Sequence, residues 1–273
     1  MRADLVPDDL WDRAAPLLPP APERRHRRPG RLRVPDRTAL AGILYVLRTG
    51  IAWRDVPAET VGCSGVTAWR RLRDWTEAGV WPRLHSALLS ELRRTDSLDL
   101  DDCAVDGSHV RALKRGDHVG PSPVDRARPG SKHHLVVDRH GTPLAVTLTR
   151  GNRHDVTQLL PLLDAVPPVR GLRGRPRRTP RRLYADRGYG FDMYRRLLWK
   201  RGIKPLIARR GVAHGSGLGK VRWVVERAFA RLHQLKRLRT RYERRADLHQ
   251  GLLELACSII CLRRLRTACR NDQ

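Results

Sequence analysis

Apolar residues recur at helical spacing through the first 95 residues, which predicts a run of helices ahead of any strand. Pro7 followed by acidic residues and Trp11 is typical of a helix start, and the Pro- and Arg-rich stretch 19–35 predicts a loop or arm. A longer helix is predicted from Asp36, ending at Thr49-Gly50.

A second helix is predicted from Ser64 to Trp75, with Arg70, Arg71 and Arg73 on its polar side. Two helices joined through a glycine-containing connection fit a helix-turn-helix module whose second helix enters a DNA groove. An ordinary helical bundle with a solvated basic face fits this segment equally well.

The periodicity changes after residue 95, where short runs predict strands that alternate with helices. The predicted strands cover 100–105, 132–137, 142–149, 182–185 and 203–208, and the predicted helices cover 159–166, 191–200 and a long segment from Lys220. The order predicts a mixed α/β fold, with a helical domain at 1–95 and a catalytic domain at 96–273. Glycine-rich loops are predicted at 114–130 and 211–219.

The charge of the chain favours a polyanionic partner. The formal net charge is +27, with 55 Lys and Arg against 28 Asp and Glu. Residues 169–273 carry 29 of the basic and only 7 of the acidic residues, whereas 99–168 are balanced at 9 of each. No apolar run is long enough for a membrane span, and five unpatterned cysteines favour reduced thiols, so we expect a cytoplasmic protein. Cys257 and Cys261 are interpreted as core thiols.

Three acidic residues stand in apolar, glycine-punctuated contexts: Asp106, Asp186 and Glu226. The two aspartates follow predicted strands, and Glu226 lies on the long helix. Strand ends of one sheet are neighbours, and a helix packed on that sheet can present one residue to them. Because a carboxylate repels phosphate, acids in so basic a protein indicate a metal between them and the substrate. Two Mg²⁺ or Mn²⁺ ions would suit phosphoryl transfer on DNA.

Each acid also has a structural interpretation that the sequence leaves open. Asp106-Gly107 is a common turn pair, Asp186 could pair with Arg187 or cap the following element, and Glu226 could pair with Arg222 within its helix.

The chain resembles the transposases of bacterial insertion sequences of the "insertion sequence five" group, within the wider class of DDE transposases. The resemblance spans nearly the whole chain and rests on the segments Ile51–Pro57, Ala104–Ser108, Gly151–Asp155, Tyr184–Tyr189 and Arg222–Arg227. It implies a ribonuclease H-like fold in which Asp106, Asp186 and Glu226 are the metal ligands. It also implies cleavage at terminal inverted repeats, followed by attack of the freed 3′-hydroxyl on target DNA.

One signature of the class is incomplete. Arg222 and Glu226 fit it, but Gly219 stands where the class has Tyr and His233 where it has Lys. Arg222 and Arg187 are candidate DNA contacts. His233 is either a replacement phosphate contact or an ordinary surface histidine on a basic helix.

Other features add expectations about partners. Adjacent histidines at 133 and 134 would point to opposite faces of a strand, so a shared metal ion is not expected. The His154-Asp155 pair is interpreted as shaping a loop near the site. No glycine-rich nucleotide-binding loop occurs, so no nucleotide cofactor is expected. The resemblance implies a homo-oligomer on double-stranded DNA. A non-catalytic repressor from a decayed element and a metal-dependent DNA nuclease remain alternatives.

Overall fold

The helices of the N-terminal third form where the sequence predicts them. The computed structural model describes residues 5–21, 23, 32–208 and 219–271, with backbone alone at 219–221 and 271. Most of the predicted arm and the predicted loop 211–219 therefore lie outside the described residues. The helices are α1 (Asp8–Ala14), α2 (Asp36–Thr49), α3 (Ala58–Val61), α4 (Gly65–Glu77) and α5 (Val80–Arg94).

The ends of two of these helices have clear local causes. α2 stops at Gly50, which adopts a φ of 77° that residues with a Cβ rarely tolerate. α4 begins after Ser64, whose Oγ accepts a hydrogen bond from the Thr67 amide at 3.3 Å. The predicted pair of helices is therefore present, with α2 packed against α4.

A mixed sheet follows. Its strands are β1 (Asp102–Ala112), β2 (Gly120–Pro121), β3 (Pro129–Val137), β4 (Pro143–Arg150), β5 (Arg182–Ala185), β6 (Lys204–Ile207) and β7 (Thr240–Arg241). The order across the main sheet is β4-β3-β1-β5-β6, with β2 paired to β3 and β7 to β1. β1, β3 and β4 form an antiparallel meander, whereas β5 and β6 run parallel to β1. The predicted ribonuclease H-like fold is confirmed.

β1 is longer than predicted. The sequence places the end of this strand at Val105, but it continues through Asp106 to Ala112. Asp106-Gly107 is a common turn pair by its sequence, yet Gly107 pairs with His134 inside the antiparallel ladder. The strand continues because residues 106–109 remain half-buried beside β3 and keep their ladder partners.

The remaining helices are α6 (Leu159–Asp164), α7 (Asp192–Lys200), α8 (Gly219–His233) and α9 (Ala246–Asn271). No boundaries are predicted for α9, because its run 252–262 is almost entirely apolar and lacks amphipathic periodicity. The structure explains this composition, since α9 packs against α5 on one side and β4 on another. Cys257 and Cys261 are fully buried there, which confirms them as core thiols.

One hydrophobic core runs from the N-terminal helices to the sheet, with α9 contacting both. The expected division at residue 95 falls just after α5 ends, and it stays a prediction. No helix in the described part of the chain has the length and apolar character needed to cross a membrane.

Candidate active site

Strand pairing brings Asp106 and Asp186 to equivalent positions on neighbouring strands. β1 and β5 are parallel, and Ala104 pairs with Tyr184. Asp106 and Asp186 each lie two residues beyond that pair. Because paired strands are about 4.8 Å apart, this register places the two carboxylates at the same end of the sheet.

Asp106 carries too little compensation for its buried charge. Its Oδ1 accepts a hydrogen bond from the Gly107 amide at 2.8 Å, and its Oδ2 lies 3.7 Å from Nη2 of Arg222. Burial nevertheless raises the pKa of Asp106 to about 6, and the charges of Asp186 and Asp155 act in the same direction. A nearby cation would favour the ionised form of this carboxylate.

Asp186 ends β5 and begins the following turn. Its Oδ1 accepts a hydrogen bond from the Gly188 amide at 2.8 Å, so it caps the short 3₁₀ helix at 187–189. Gly190 continues this turn, and a Cβ there would lie 2.6 Å from the carbonyl oxygen of Ala208. The close approach at Gly190 fixes the turn against the end of β6.

Arg222 connects α8 to the site, whereas Glu226 does not reach it. Arg222 is half-buried and lies at ion-pair distance from Asp106, so the predicted pair between Arg222 and Glu226 does not form in the described structure. Glu226 lies one turn later on the same side of α8 and is exposed. No group of three His, Cys, Asp or Glu side chains among the described residues is arranged to hold a metal ion.

Asp155 is a third carboxylate beside Asp106. A Cβ at Gly107 would lie 3.0 Å from Oδ1 of Asp155, and the same oxygen accepts a hydrogen bond from Nζ of Lys132 at 2.9 Å. The Lys132 side chain is almost fully buried, and its Nζ also donates to the carbonyl oxygen of Arg153 at 2.8 Å. From the sequence, Asp155 is expected only to shape a loop near the site. We use the name aspartate cluster for Asp106, Asp155 and Asp186.

Buried polar atoms without partners surround the aspartate cluster. The hydroxyl of Tyr189, Nε of Arg222 and Nδ1 of His134 are all buried and lack a hydrogen-bond partner in the described structure. Burial raises the pKa of Tyr189, as do the charges of all three aspartates. Unsatisfied polar groups of this kind are expected where a ligand, ion or water completes a site.

The sequence missed Lys132, Asp155 and Tyr189 as site residues. Two signals were present: Asp155 and Tyr189 belong to the segments that carry the family resemblance, and Lys132 is a lysine within a predicted strand.

The arginines of α4 do not share one environment. Arg70 is exposed. The Arg71 side chain is only 13% exposed and its Nε donates to Asp36 at 3.1 Å, while Arg73 donates to Asp74 at 2.7 Å. Arg187, beside Asp186, is exposed. As DNA contacts, these four residues stay predictions, and the geometry favours Arg70 over Arg71.

His233 is not the surface histidine that the sequence suggested. Its ring stacks on Phe229 at 6.1 Å between centroids and lies 5.9 Å from the ring of His133, and its Nε2 is buried without a partner among the described residues. Burial lowers the pKa of His233, which disfavours the charged form that a phosphate contact would use. Gly219, at the other departed position, is the first residue of α8.

His133 and His134 lie on opposite faces of β3, as expected. Nε2 of His133 lies 2.9 Å from Nε2 of His249, whereas Nε2 of His134 lies 2.8 Å from Oγ1 of Thr149.

Comparison with known proteins identifies two family models on this chain. A model described as "Transposase DDE domain" matches residues 98–261, and one described as "Putative transposase of IS4/5 family" matches residues 6–85. The first spans more than half of the chain and contains Asp106, Asp155, Asp186 and Glu226.

Two relatives from Burkholderia cepacia are similar to the chain. The "Putative transposase for insertion sequence element IS402" is 62% identical over 150 residues, which cover 55% of this chain and 71% of the relative. The "Insertion element IS402 uncharacterized 16.2 kDa protein" is 54% identical over 124 residues, which cover 45% of this chain and 84% of the relative.

Among solved structures, the "Crystal structure of the Mos1 Strand Transfer Complex" is 14% identical and covers 92% of this chain and 82% of that chain, with a TM-score of 0.33. At that score the superposition adds nothing to the fold described above.

Proposed function

The chain belongs to the DDE transposase family of insertion sequences, and we propose that it binds the terminal inverted repeats of its element, cleaves the DNA there and joins the freed 3′ ends to target DNA. The observation that carries this proposal is the parallel register of β1 and β5, which sets Asp106 and Asp186 side by side. The substrate is double-stranded DNA in the bacterial cytoplasm.

Membership in this family implies dependence on a divalent metal. The donor chemistry of Asp106 and Asp186 fits such an ion, because carboxylate oxygens are the ligands that Mg²⁺ and Mn²⁺ favour. The raised pKa of Asp106 supports this fit, because a bound cation would favour the ionised carboxylate. We propose that Asp106 and Asp186 hold Mg²⁺ or Mn²⁺, with two ions in the working complex. When bound, the metal polarises the phosphodiester and lowers the pKa of the attacking hydroxyl.

Glu226 is proposed as the third acidic residue of the site, on the strength of the family resemblance and of its place one turn after Arg222. It is exposed in this structure. Arg222 orients Asp106 through its guanidinium and contributes positive charge beside the position of a DNA phosphate.

The N-terminal helices are proposed as a DNA-binding domain that reads the element ends, with Arg70 of α4 at the surface. We further propose that the working assembly is a homo-oligomer, because two element ends must be held together for joining.

The test is incubation of the purified protein with labelled DNA carrying the ends of its own element, in Mg²⁺, in Mn²⁺ and in EDTA. We expect nicks at the inverted repeats and joined products with either metal, and neither in EDTA. Asp106→Asn and Asp186→Asn should abolish both products while end binding persists.

The products also separate the alternatives. Nicks without joined DNA would favour a nuclease, and specific end binding without any cleavage in Mn²⁺ would favour a repressor. Wild-type activity in Asp106→Asn would overturn the proposed site.

A further inference from the structure

A cavity between α8 and α9, away from the aspartate cluster, is surrounded by arginines. Its volume is about 330 Å³. We call it the arginine cleft, and it is lined by Arg231, Gln234, Ile260, Arg263, Arg264 and Thr267. The four residues from α9 recur at three- and four-residue spacing, so one face of that helix forms one wall.

The arginines at this cleft crowd one another. Arg48, at the end of α2, is half-buried, and its pKa is lowered first by burial and then by the charges of Arg263 and Arg266. The pKa of Arg227 on α8 is also lowered, first by burial and then by the charges of Arg231 and Arg264. Three arginines from α8 and α9 line the cleft, and the positive charges of Arg48, Arg227 and Arg266 add to theirs.

Acidic groups only partly offset this charge, because buried Asp138 attracts Arg227 and Arg264. Arg266 is paired with Asp9 at 2.5 Å, and Arg264 donates to the carbonyl oxygen of Ser97 at 2.9 Å. Within the described residues, Arg48, Arg231 and Arg263 have no acidic side chain at ion-pair distance. Like charges held together without acids raise the free energy of the folded protein, and binding of an anion removes that penalty.

We propose that the arginine cleft binds the phosphate backbone of duplex DNA at a point remote from the phosphate that is cleaved. The proposal rests on the proposed function for the identity of the anion. Guanidinium groups suit this ligand because they donate paired hydrogen bonds to phosphate oxygens.

The position of the cleft on α8 makes it separate from the cleavage site. Arg222 and Arg231 are nine residues apart, which corresponds to about 14 Å along the helix and two and a half turns. Arg222 contacts Asp106, whereas Arg231 lines the cavity toward α9. The two arginines therefore point to opposite sides of α8, and a phosphate in the cleft is not the phosphate at Asp106.

The test compares Arg231→Gln/Arg263→Gln with a control of equal charge change, Arg128→Gln/Arg181→Gln, whose two arginines are exposed and do not line the cleft. The measurement is the dissociation constant for a duplex carrying the element end, across a range of KCl concentrations. We expect the cleft variant to lower the slope of log K against log salt by about 2 and to weaken binding about tenfold, since each lost phosphate contact removes about one counterion. We expect the control to change the slope much less.

A second readout is the single-turnover cleavage rate at saturating DNA, which should match wild type in the cleft variant. A salt slope equal to that of the control would overturn the proposal. Should the double variant fail to fold, Arg263→Gln alone decides the matter, with an expected slope change of about 1.

Free phosphate is tested separately by thermal unfolding in phosphate and in chloride of equal ionic strength. Stabilisation by phosphate that the cleft variant loses, combined with an unchanged DNA salt slope, would mark a small-anion site and overturn the DNA assignment. The proposed function fails independently if wild type binds the duplex without cleaving it, and the salt slopes still decide the role of the cleft.

Discussion

Two carboxylates, Asp106 and Glu243, each lie near an arginine, but their pKa values are shifted in opposite directions. Glu243 is buried, its Oε1 accepts from Nη2 and Nε of Arg237 at 2.7 and 2.9 Å, and its Oε2 lies 3.3 Å from Nδ1 of His249. Burial alone would raise the pKa of Glu243, but His249 and Arg237 outweigh it and hold the pKa at about 2. Asp106 has one arginine at 3.7 Å and one amide, and burial raises its pKa to about 6.

The difference separates a region that stabilises the fold from the proposed ligand site. Glu243 links Arg237 to α9 through His249, and it keeps its charge without any outside group. Asp106 shares its surroundings with two other aspartates and with a buried hydroxyl that has no partner in the described structure. Incomplete compensation of a carboxylate charge lowers the stability of the folded protein. It is typical of sites where function determines which residue is present.

The largest effect should come from breaking the Glu243 pair. Glu243→Gln leaves the Arg237 guanidinium buried beside a neutral group, and we expect it to lower the free energy of unfolding by about 3–5 kcal/mol. The check is urea unfolding of the metal-free protein, with Asp106→Asn as the comparison. Asp106→Asn should be as stable as wild type or more stable, because it removes an uncompensated charge. Equal destabilisation by both substitutions would contradict the contrast.

Acid should separate the same two carboxylates. For Asp106 the folded pKa of about 6 lies above its ordinary 3.8, so its ionisation opposes folding above pH 6 and this penalty disappears as the pH falls toward 3.8. The shift corresponds to at most about 3 kcal/mol. For Glu243 the folded pKa lies below its ordinary 4.5, so its contribution is present above pH 4.5 and is lost as the pH falls through 2.

The measurement is the difference in unfolding free energy between wild type and Asp106→Asn from pH 7 to pH 4, without metal. Wild type should gain relative to the variant over this range. Buried histidines such as His85, whose pKa is lowered to about 4 by burial, destabilise both proteins in acid and cancel in the difference. If the difference in unfolding free energy did not depend on pH, the ionisation of Asp106 would not oppose folding.

Lys132 tests whether Asp155 belongs to the site. Lys132→Met removes the charge that compensates Asp155. The uncompensated Asp155 carboxylate then repels the carboxylates of Asp106 and Asp186 and disfavours their ionised forms. We expect a fall of about tenfold in the single-turnover cleavage rate, equivalent to about 1.4 kcal/mol. The double variant Lys132→Met/Asp155→Asn should recover part of the rate, which a purely structural role would not predict. Lys114→Met, at an exposed position, is the matched control.

The sequence predicted most of the fold and the proximity of Asp106 and Asp186, but not the exposed position of Glu226. Alternating strands and amphipathic helices leave a periodic pattern, and the position of Asp186 at the end of a predicted strand was enough to place it beside Asp106. The central run 252–262 of α9 is almost entirely apolar and has no such pattern, so the boundaries of this helix could not be predicted.

Long-range side-chain contacts were beyond the sequence. The pairs Lys132–Asp155, Arg237–Glu243 and Arg222–Asp106 depend on how separate elements pack. Charge counting could not distinguish an arginine paired inside the fold from one exposed to solvent, because both occur on the same helix at adjacent positions.

Arg70 and Arg71 of α4 are adjacent residues of the same type, one exposed and one mostly buried, so they allow a direct comparison of the two kinds of arginine. Arg71 is mostly buried and bonded to Asp36, so Arg71→Gln should lower the free energy of unfolding by about 1–2 kcal/mol with little change in the salt dependence of DNA binding. Arg70 is exposed, so Arg70→Gln should leave stability unchanged and lower the salt slope for element-end DNA by about 1. Thermal unfolding and salt-dependent binding measured on both variants decide the assignment. If Arg71→Gln altered only binding and Arg70→Gln only stability, burial on α4 would be the wrong guide to which arginines serve the DNA.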